Sequence, residues 1–323
     1  MSAPLLSVRG LTAELGSGAQ RVTALRAVDF DVRRGEITAI VGESGSGKST
    51  AAMALARLNE GPQGAFSGEV RFDGMDVLSL NSRALRSLRG QGIAMVFQDA
   101  AAALNPCETI GDQIAEAMVV HKARDWRAAR AHAIELLGEV GMPEPARRAG
   151  LYPHEMSGGQ RQRAMIALGL ACDPALLIAD EPTTALDVTV QGQILALLKS
   201  IVARRDMGLI LITHDLGVVA ALADQVLVMY AGRIVEAAPV AEFFDAPHHP
   251  YSGDMITAAS VALDAGGRLA TIPGRPPHSG DVGESCAYAP RCARASNQCR
   301  AALPSLEPHG TRRRACFHPL DDA

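Results

Sequence analysis

Glu36-Ile37-Thr38-Ala39-Ile40-Val41, running into Gly42-Glu43-Ser44-Gly45-Ser46-Gly47-Lys48-Ser49-Thr50, decides the fold. The first six residues read as a buried strand, and the glycine-rich stretch matches GxxxxGK[ST]. Ala51 to Leu58 then reads as a helix, which completes the strand, loop and helix that a phosphate-binding loop requires. Glycines let the backbone turn tightly and aim its N–H groups at a phosphate. Lys48 then neutralises the β- and γ-phosphates, and the Ser49 hydroxyl ligates Mg²⁺. A nucleotide polyphosphate and Mg²⁺ are therefore the expected ligands, with residues 42–50 as their cradle.

Upstream, Leu5 to Arg34 alternates in short apolar runs, as in Val28, Phe30 and Val32, which predicts antiparallel strands. Downstream, Asp99 to Gly150 places Ile110, Ile114, Met118, Ile134, Leu137 and Val140 at helical spacings and predicts a helical insert. Ala175 to Ala179 and Leu209 to Thr213 are short apolar runs between helical segments, the pattern of buried parallel strands. The fold class is α/β. Leu176-Leu177-Ile178-Ala179 ends in Asp180 and Glu181, two carboxylates at the edge where open α/β sheets bind ligands. Asp180 is expected in the Mg²⁺ shell, and Glu181 as the general base that polarises the attacking water. Ser157-Gly158-Gly159-Gln160, followed by Arg161-Gln162-Arg163, opens a helix at a serine cap and offers a second phosphate-binding surface.

The chain has 323 residues, a formal net charge of −4, 48% hydrophobic and 4% aromatic residues. That is a globular composition with no basic stripe, so nucleic acid is not an expected partner. Asp173, Asp180, Asp215 and Asp224 interrupt the most apolar regions, so no spanning helix is expected. Met1 to Gly10 carries no signal-peptide pattern, and the expected compartment is the cytosol, where cysteines are reduced or bind metal. After Pro247 the texture turns to Pro, Gly, His and Cys, as in IPGRPPHSGDVGESC, which predicts a separate small tail module.

Taken in order, the phosphate loop, Gln98 in MVFQD, SGGQ, the strand ending in Asp180-Glu181, TALD and His214 in LITHD resemble the ABC ATPase family over residues 5–245. The resemblance implies a P-loop NTPase with an antiparallel β subdomain, a RecA-like core and a helical subdomain at about 99–160, all within residues 1–247. It implies that Gln98 touches Mg²⁺ and the attacking water, and that His214 bonds the γ-phosphate and orients Glu181. Ala185, Leu186 and Asp187 resemble the loop that crosses to an opposite subunit. Ser157, Gly158, Gly159 and Gln160 would complete the nucleotide site of a second ATPase subunit in trans. Family members stack adenine on an aromatic residue upstream of the phosphate loop, and Ala19-Gln20-Arg21-Val22-Thr23 offers none. Arg21 and Val22 are the candidates for that contact, and a solvated strand residue is the alternative for Arg21.

DAAAALNPCETIGDQIAEA after Gln98, HHPYSGDMI at 248–256, IPGRPP at 272–277 and APRC at 289–292 resemble dipeptide and oligopeptide importer ATPases, with 248–323 as their C-terminal region. The implied cargo is peptides or peptide-like solutes; nickel chelates, opines and oligosaccharides travel through related machines. The implied partners are two transmembrane permease chains, a second related ATPase subunit and an extracytoplasmic solute-binding protein, with this chain at the cytoplasmic face of the membrane. A soluble ABC ATPase of translation or DNA repair is the competing class, and it generally carries two cassettes or long inserts. Cys286, Cys292, Cys299 and Cys316 are spaced unlike a zinc ribbon. Four thiolates suit an Fe–S cluster or Zn²⁺, and the resemblance favours [4Fe–4S], then zinc, then free thiols. Cys107 and Cys172 are expected to pack as small hydrophobes, and His248 and His249 to form a turn before Pro250.

Overall fold

The computed structural model describes residues 3–18, 21–61, 64–121, 124–184, 186–260, 271–277 and 282–320. They fall into two compact units, one dominated by Ser79–Ile212 and the other made of Leu6–Asp31, Ile37–Leu78 and Thr213–Ala323. Along the chain, the second unit begins with β1 (Leu6–Leu15), β2 (Val22–Val32), β3 (Ile37–Val41), α1 (Lys48–Leu55), β4 (Gly64–Phe72) and β5 (Met75–Asp76). Four of these strands form a sheet in the order β2-β1-β4-β5, with β1 and β4 antiparallel from Leu6↔Phe72 to Leu15↔Gly64. Leu6 and Val8, and then Leu11 and Ala13 beyond a register shift between Arg9 and Thr12, alternate into its buried face with Val70.

The first unit holds α2 (Ser82–Gln91), β6 (Ile93–Val96), α3 (Ala100–Ala103), α4 (Ile110–Val120), α5 (Trp126–Glu139), α6 (Pro145–Ala149), α7 (Gly158–Leu170), β7 (Leu176–Asp180), α8 (Val188–Arg205) and β8 (Gly208–Ile212). β6, β7 and β8 are parallel, paired Val96↔Ala179 and Asp180↔Ile212. All five residues of β7 and of β8 are buried, which explains their continuous rather than alternating hydrophobicity. The helices of the predicted insert start on polar caps: Asp99, Thr109 and Asp125 accept hydrogen bonds from first-turn N–H groups of α3, α4 and α5.

Returning to the second unit, the chain adds α9 (Leu216–Leu222), β9 (Gln225–Tyr230), β10 (Arg233–Pro239), α10 (Val240–Asp245), α11 (Pro250–Ala259), α12 (Asn297–Ala301), β11 (Glu307–His309) and β12 (Arg312–Arg314). β3 runs parallel to β9, β9 antiparallel to β10, β10 antiparallel to β12, and β12 antiparallel to β11. The cysteine-bearing region contributes strands to the larger sheet of this unit. Its strand β12 extends the sheet that carries the phosphate-loop strand, through Glu236↔Arg314 and Ala237↔Arg313. An unpaired β10 edge would otherwise expose a row of backbone donors and acceptors. Among the described residues, no helix is long and apolar enough to cross a membrane.

Candidate functional site

In the second unit, β3 is buried throughout and delivers the loop Gly42–Gly47. Two glycines are irreplaceable on geometry. Gly42 sits at φ +149°, where a Cβ would lie 2.2 Å from the Met229 carbonyl oxygen; Gly47 sits at φ +104°, with the Ala24 carbonyl oxygen 3.0 Å from its missing Cβ. Gly47 is the N-cap of α1 and makes no side-chain cap, so the helix begins at Lys48, earlier than the expected Ala51. Lys48, Ser49 and Thr50 thus occupy the first turn, whose N–H groups favour an anion. The Lys48 side chain is buried and its ammonium donates to the Gly42 and Glu43 carbonyls at 2.8 and 3.0 Å. Ser46 closes the loop by donating its N–H to the Glu43 carbonyl at 3.2 Å, and accepts from Gly232 N–H at 2.9 Å. Ser44 and Gly45 are exposed at the tip.

In the first unit, Gln98 follows β6, and Asp180 and Glu181 end and follow β7, at the carboxyl edges of adjacent parallel strands. Asp180 is buried. The Glu181 carboxylate accepts from Gln98 Nε2 and from Thr184 Oγ1, each at 2.9 Å. Glu181 takes φ +46°, a left-handed conformation costly for a non-glycine residue, held by its N–H bond to the Ile212 carbonyl at 2.9 Å. Thr184 went unrecognised in the sequence, although a threonine three residues after Glu181 is within reach of a turn-type hydrogen bond.

Ser157 caps α7 reciprocally with Gln160: Gln160 N–H donates to Ser157 Oγ at 3.4 Å and Ser157 N–H to Gln160 Oε1 at 3.2 Å. Gly159 lets α7 approach α8, since a Cβ there would lie 2.7 Å from Val190 Cγ1. Gly158 packs beside Leu186, 3.6 Å from where its own Cβ would be. Asp187 caps α8 by accepting from Val190 N–H at 2.9 Å, and the next residue, Val188, is 85% exposed. Ala185 lies outside the described residues, as do Ala19 and Gln20.

His214, in the second unit, is exposed; next to it, Thr213 Oγ1 accepts from Asp215 N–H at 3.0 Å. Arg21 is exposed and pairs with Glu14 at 3.4 Å, and Val22 is exposed at the start of β2. Each side chain expected to meet Mg²⁺, the Ser49 hydroxyl in the second unit and the Gln98 amide and Asp180 carboxylate in the first, offers the oxygen donor that this hard cation takes.

Cys286, Cys292, Cys299 and Cys316 line one cavity together with His249 and Tyr288. Burial raises the Cys286, Cys292 and Cys316 thiols, Cys316 to about 11, and the charges of neighbouring cysteines push the same way. Among the described residues, no group of three or more His, Cys, Asp or Glu side chains closes to the spacing of a bound metal ion. The four thiols converge on one pocket, a donor set that fits a metal centre in composition. His248 and His249 donate their N–H groups to the buried Glu236 carboxylate at 2.9 and 2.8 Å. The His249 ring accepts from Tyr251 N–H at 3.0 Å to cap α11, and burial holds its pKa down at about 3. Cys107 is exposed rather than packed, because Asn105 captures its N–H in a polar turn ahead of α4. Cys172 is half-buried, with its Sγ 3.5 Å from the Ala117 carbonyl.

Comparison with known proteins identifies the family. Residues 25–184 match the family described as ABC transporter, and residues 235–299 match the oligopeptide/dipeptide transporter C-terminal region. A putative peptide import ATP-binding protein of Brucella ovis is 46% identical over 96% of both chains. The dipeptide transport ATP-binding protein DppD of Escherichia coli is 43% identical over 99% of this chain and 98% of its own. Among solved structures, the dimeric ATP-binding cassette MJ0796, a bacterial ABC transporter cassette, aligns with a TM-score of 0.65 at 29% identity, over 73% of this chain and 98% of its own. The two matched regions and the near full-length relatives together make this chain a member of the ABC transporter ATP-binding proteins of the dipeptide/oligopeptide importer family.

Proposed function

We propose that this chain binds and hydrolyses ATP to energise import of peptides or peptide-like solutes across a membrane. The observation that carries the reading is the locked phosphate loop with Lys48 buried against its own carbonyls, a cationic cradle already folded for a polyphosphate. Lys48 would exchange those carbonyls for β- and γ-phosphate oxygens, and Ser49, Gln98 and Asp180 would hold Mg²⁺, which when bound would neutralise developing charge. Glu181, oriented by Gln98 and Thr184, takes a proton from the attacking water, and His214 steadies the γ-phosphate. Arg21 or Val22 packs on adenine.

In this reading residues 1–247 form the nucleotide-binding domain, with an antiparallel subdomain, a RecA-like core and a helical subdomain at about 99–160, and residues 248–323 form the tail. Ser157–Gln160 and Asp187 act in trans on the nucleotide of a second ATPase subunit; the exposed Val188 beside Asp187 supports that assignment. Two permease chains and a solute-binding protein complete the machine, with this subunit peripheral at the cytoplasmic face. The four tail thiols hold a [4Fe–4S] cluster, with zinc the alternative; their shared cavity supports a common ligand. Loading requires displacing protons from thiols that burial keeps protonated.

The test is ATP turnover of the full complex in membranes, with and without the cognate binding protein loaded with peptide. Stimulation by peptide-loaded binding protein is the expected result. Stimulation only by a nickel chelate or an oligosaccharide overturns the cargo, and tight RNA or DNA binding without response to permeases overturns the transporter class. Anaerobic purification with iron and sulfide analysis is expected to return both elements; stoichiometric zinc, or no metal, refutes the cluster.

A further inference from the structure

One ion pair ties the tail to the phosphate loop. Arg291, immediately before Cys292, sends its guanidinium to the carboxylate of Glu43, the second residue of the phosphate loop, in a two-pronged pair: Nη1 to Oε2 at 2.5 Å and Nη2 to Oε1 at 2.9 Å. The Arg291 side chain is only 4% exposed and that of Glu43 28%. Nε also donates to the Pro273 carbonyl at 2.7 Å, and Nη1 to Tyr230 Oη at 3.2 Å. The rings of Tyr230 and Tyr288 lie 5.9 and 5.8 Å from the guanidinium carbon. Tyr251 adds a second tether, its hydroxyl accepting the Glu43 N–H at 2.8 Å. All of these residues belong to one compact unit.

We propose that Arg291 is a positioning residue for nucleotide binding, acting through Glu43. A carboxylate inside a loop built to receive a polyphosphate is electrostatically wrong: unneutralised, it repels the ligand that Lys48 attracts. Arg291 cancels that charge and draws the carboxylate toward the tail. Arginine suits the task because its planar fork engages both carboxylate oxygens and it stays charged at any relevant pH, and hydrogen bonding to Glu43 raises its pKa further. The IPGRPP segment gains a role on the same geometry. Gly274 sits at φ +74° with a Cβ position 3.3 Å from Arg291 Cγ, so this turn lets Pro273 reach the guanidinium.

This inference rests on the ATP-binding reading, and one experiment separates the two. Calorimetric titration of the full-length protein with Mg-ATP is compared for wild type, Arg291→Ala, Arg291→Lys and the Arg291→Ala/Glu43→Gln pair, alongside KM and kcat. Wild type is expected to bind; absence of binding refutes the ATP-binding reading itself. Arg291→Ala is expected to weaken ATP by about 10-fold or more, since it strands a partly buried carboxylate beside the phosphates. The loss falls on Kd and KM, with kcat at saturating ATP within about twofold. Arg291→Lys retains the charge without the fork and is expected near a threefold loss, which keeps the inference testable if the alanine variant does not fold. Adding Glu43→Gln to Arg291→Ala removes the stranded charge and restores most of the affinity. If wild type binds and both Arg291 variants bind ATP equally well, or if the double variant is no better than Arg291→Ala, Arg291 is a structural staple and the inference is overturned.

Discussion

The phosphate loop and the Gln98–Glu181 pair are built on opposite principles. The loop is a backbone device: glycines at positive φ, carbonyls holding Lys48, and tethers from Tyr251 and Arg291 hold its shape before any ligand arrives. The pair is a side-chain device on exposed ground, where an amide and a hydroxyl hold a carboxylate whose own backbone is strained. Binding is thus preorganised, while the chemistry rests on contacts that are cheap to break and remake. A hydrogen bond to a charged group contributes about 1.5–3 kcal/mol at most on this exposed ground, so contacts from a bound nucleotide can redirect Gln98.

The comparison breaks most visibly at Glu181. Glu181→Gln is expected to keep ATP affinity and lose turnover by about 10²–10⁴-fold, as removal of a general base does; unchanged phosphate release in a colorimetric assay would remove Glu181 from that role. Next in size, Gly42→Ala drives a Cβ into the Met229 carbonyl and is expected to abolish measurable ATP binding, a loss of about 100-fold or more, while the protein remains folded by circular dichroism. Gln98→Ala should cost turnover about 10-fold with little change in Kd, which a paired kinetic and calorimetric measurement resolves. If it weakened binding as much as the glycine change, the division between a fixed loop and an adjustable pair would fail.

The smallest effect concerns acid. His249 is buried and neutral, with its pKa lowered to about 3 by burial, and it caps the helix whose Tyr251 holds the phosphate loop. A depressed native pKa gives stability that is complete above the ordinary histidine value of about 6.5 and is lost as pH falls from there toward 3, because only the unfolded chain then takes up the proton. Between pH 6.5 and 5 the expected loss is up to about 2 kcal/mol, read from urea midpoints. His249→Asn, which retains a cap acceptor, should flatten that slope; an unchanged slope would assign the acid sensitivity elsewhere.

The local parts of this architecture were legible in the residues. A five-residue apolar run followed by GESGSGKST admits one reading, and the two acids closing β7 are placed by the strand itself. The helix at 158–170 announces its start through a serine cap answered by Gln160. What stayed hidden depends on distance or on a single torsion. The left-handed Glu181 leaves no compositional trace. Cys107 looked like core filling, and a turn formed by Asn105 put it in solvent. The addition of β12 to β10 and the engagement of Arg291 with Glu43 join segments that local periodicity cannot connect.

The Arg291–Glu43 pair spans 248 positions of sequence. On the ribosome, the strand, loop and helix of the phosphate site emerge early, yet the guanidinium that quiets Glu43 is translated 248 codons later. Until then, the loop carries an unanswered negative charge and β10 an open edge. On the role proposed for Arg291, a chain lacking that residue is expected to hold nucleotide more weakly than the full chain.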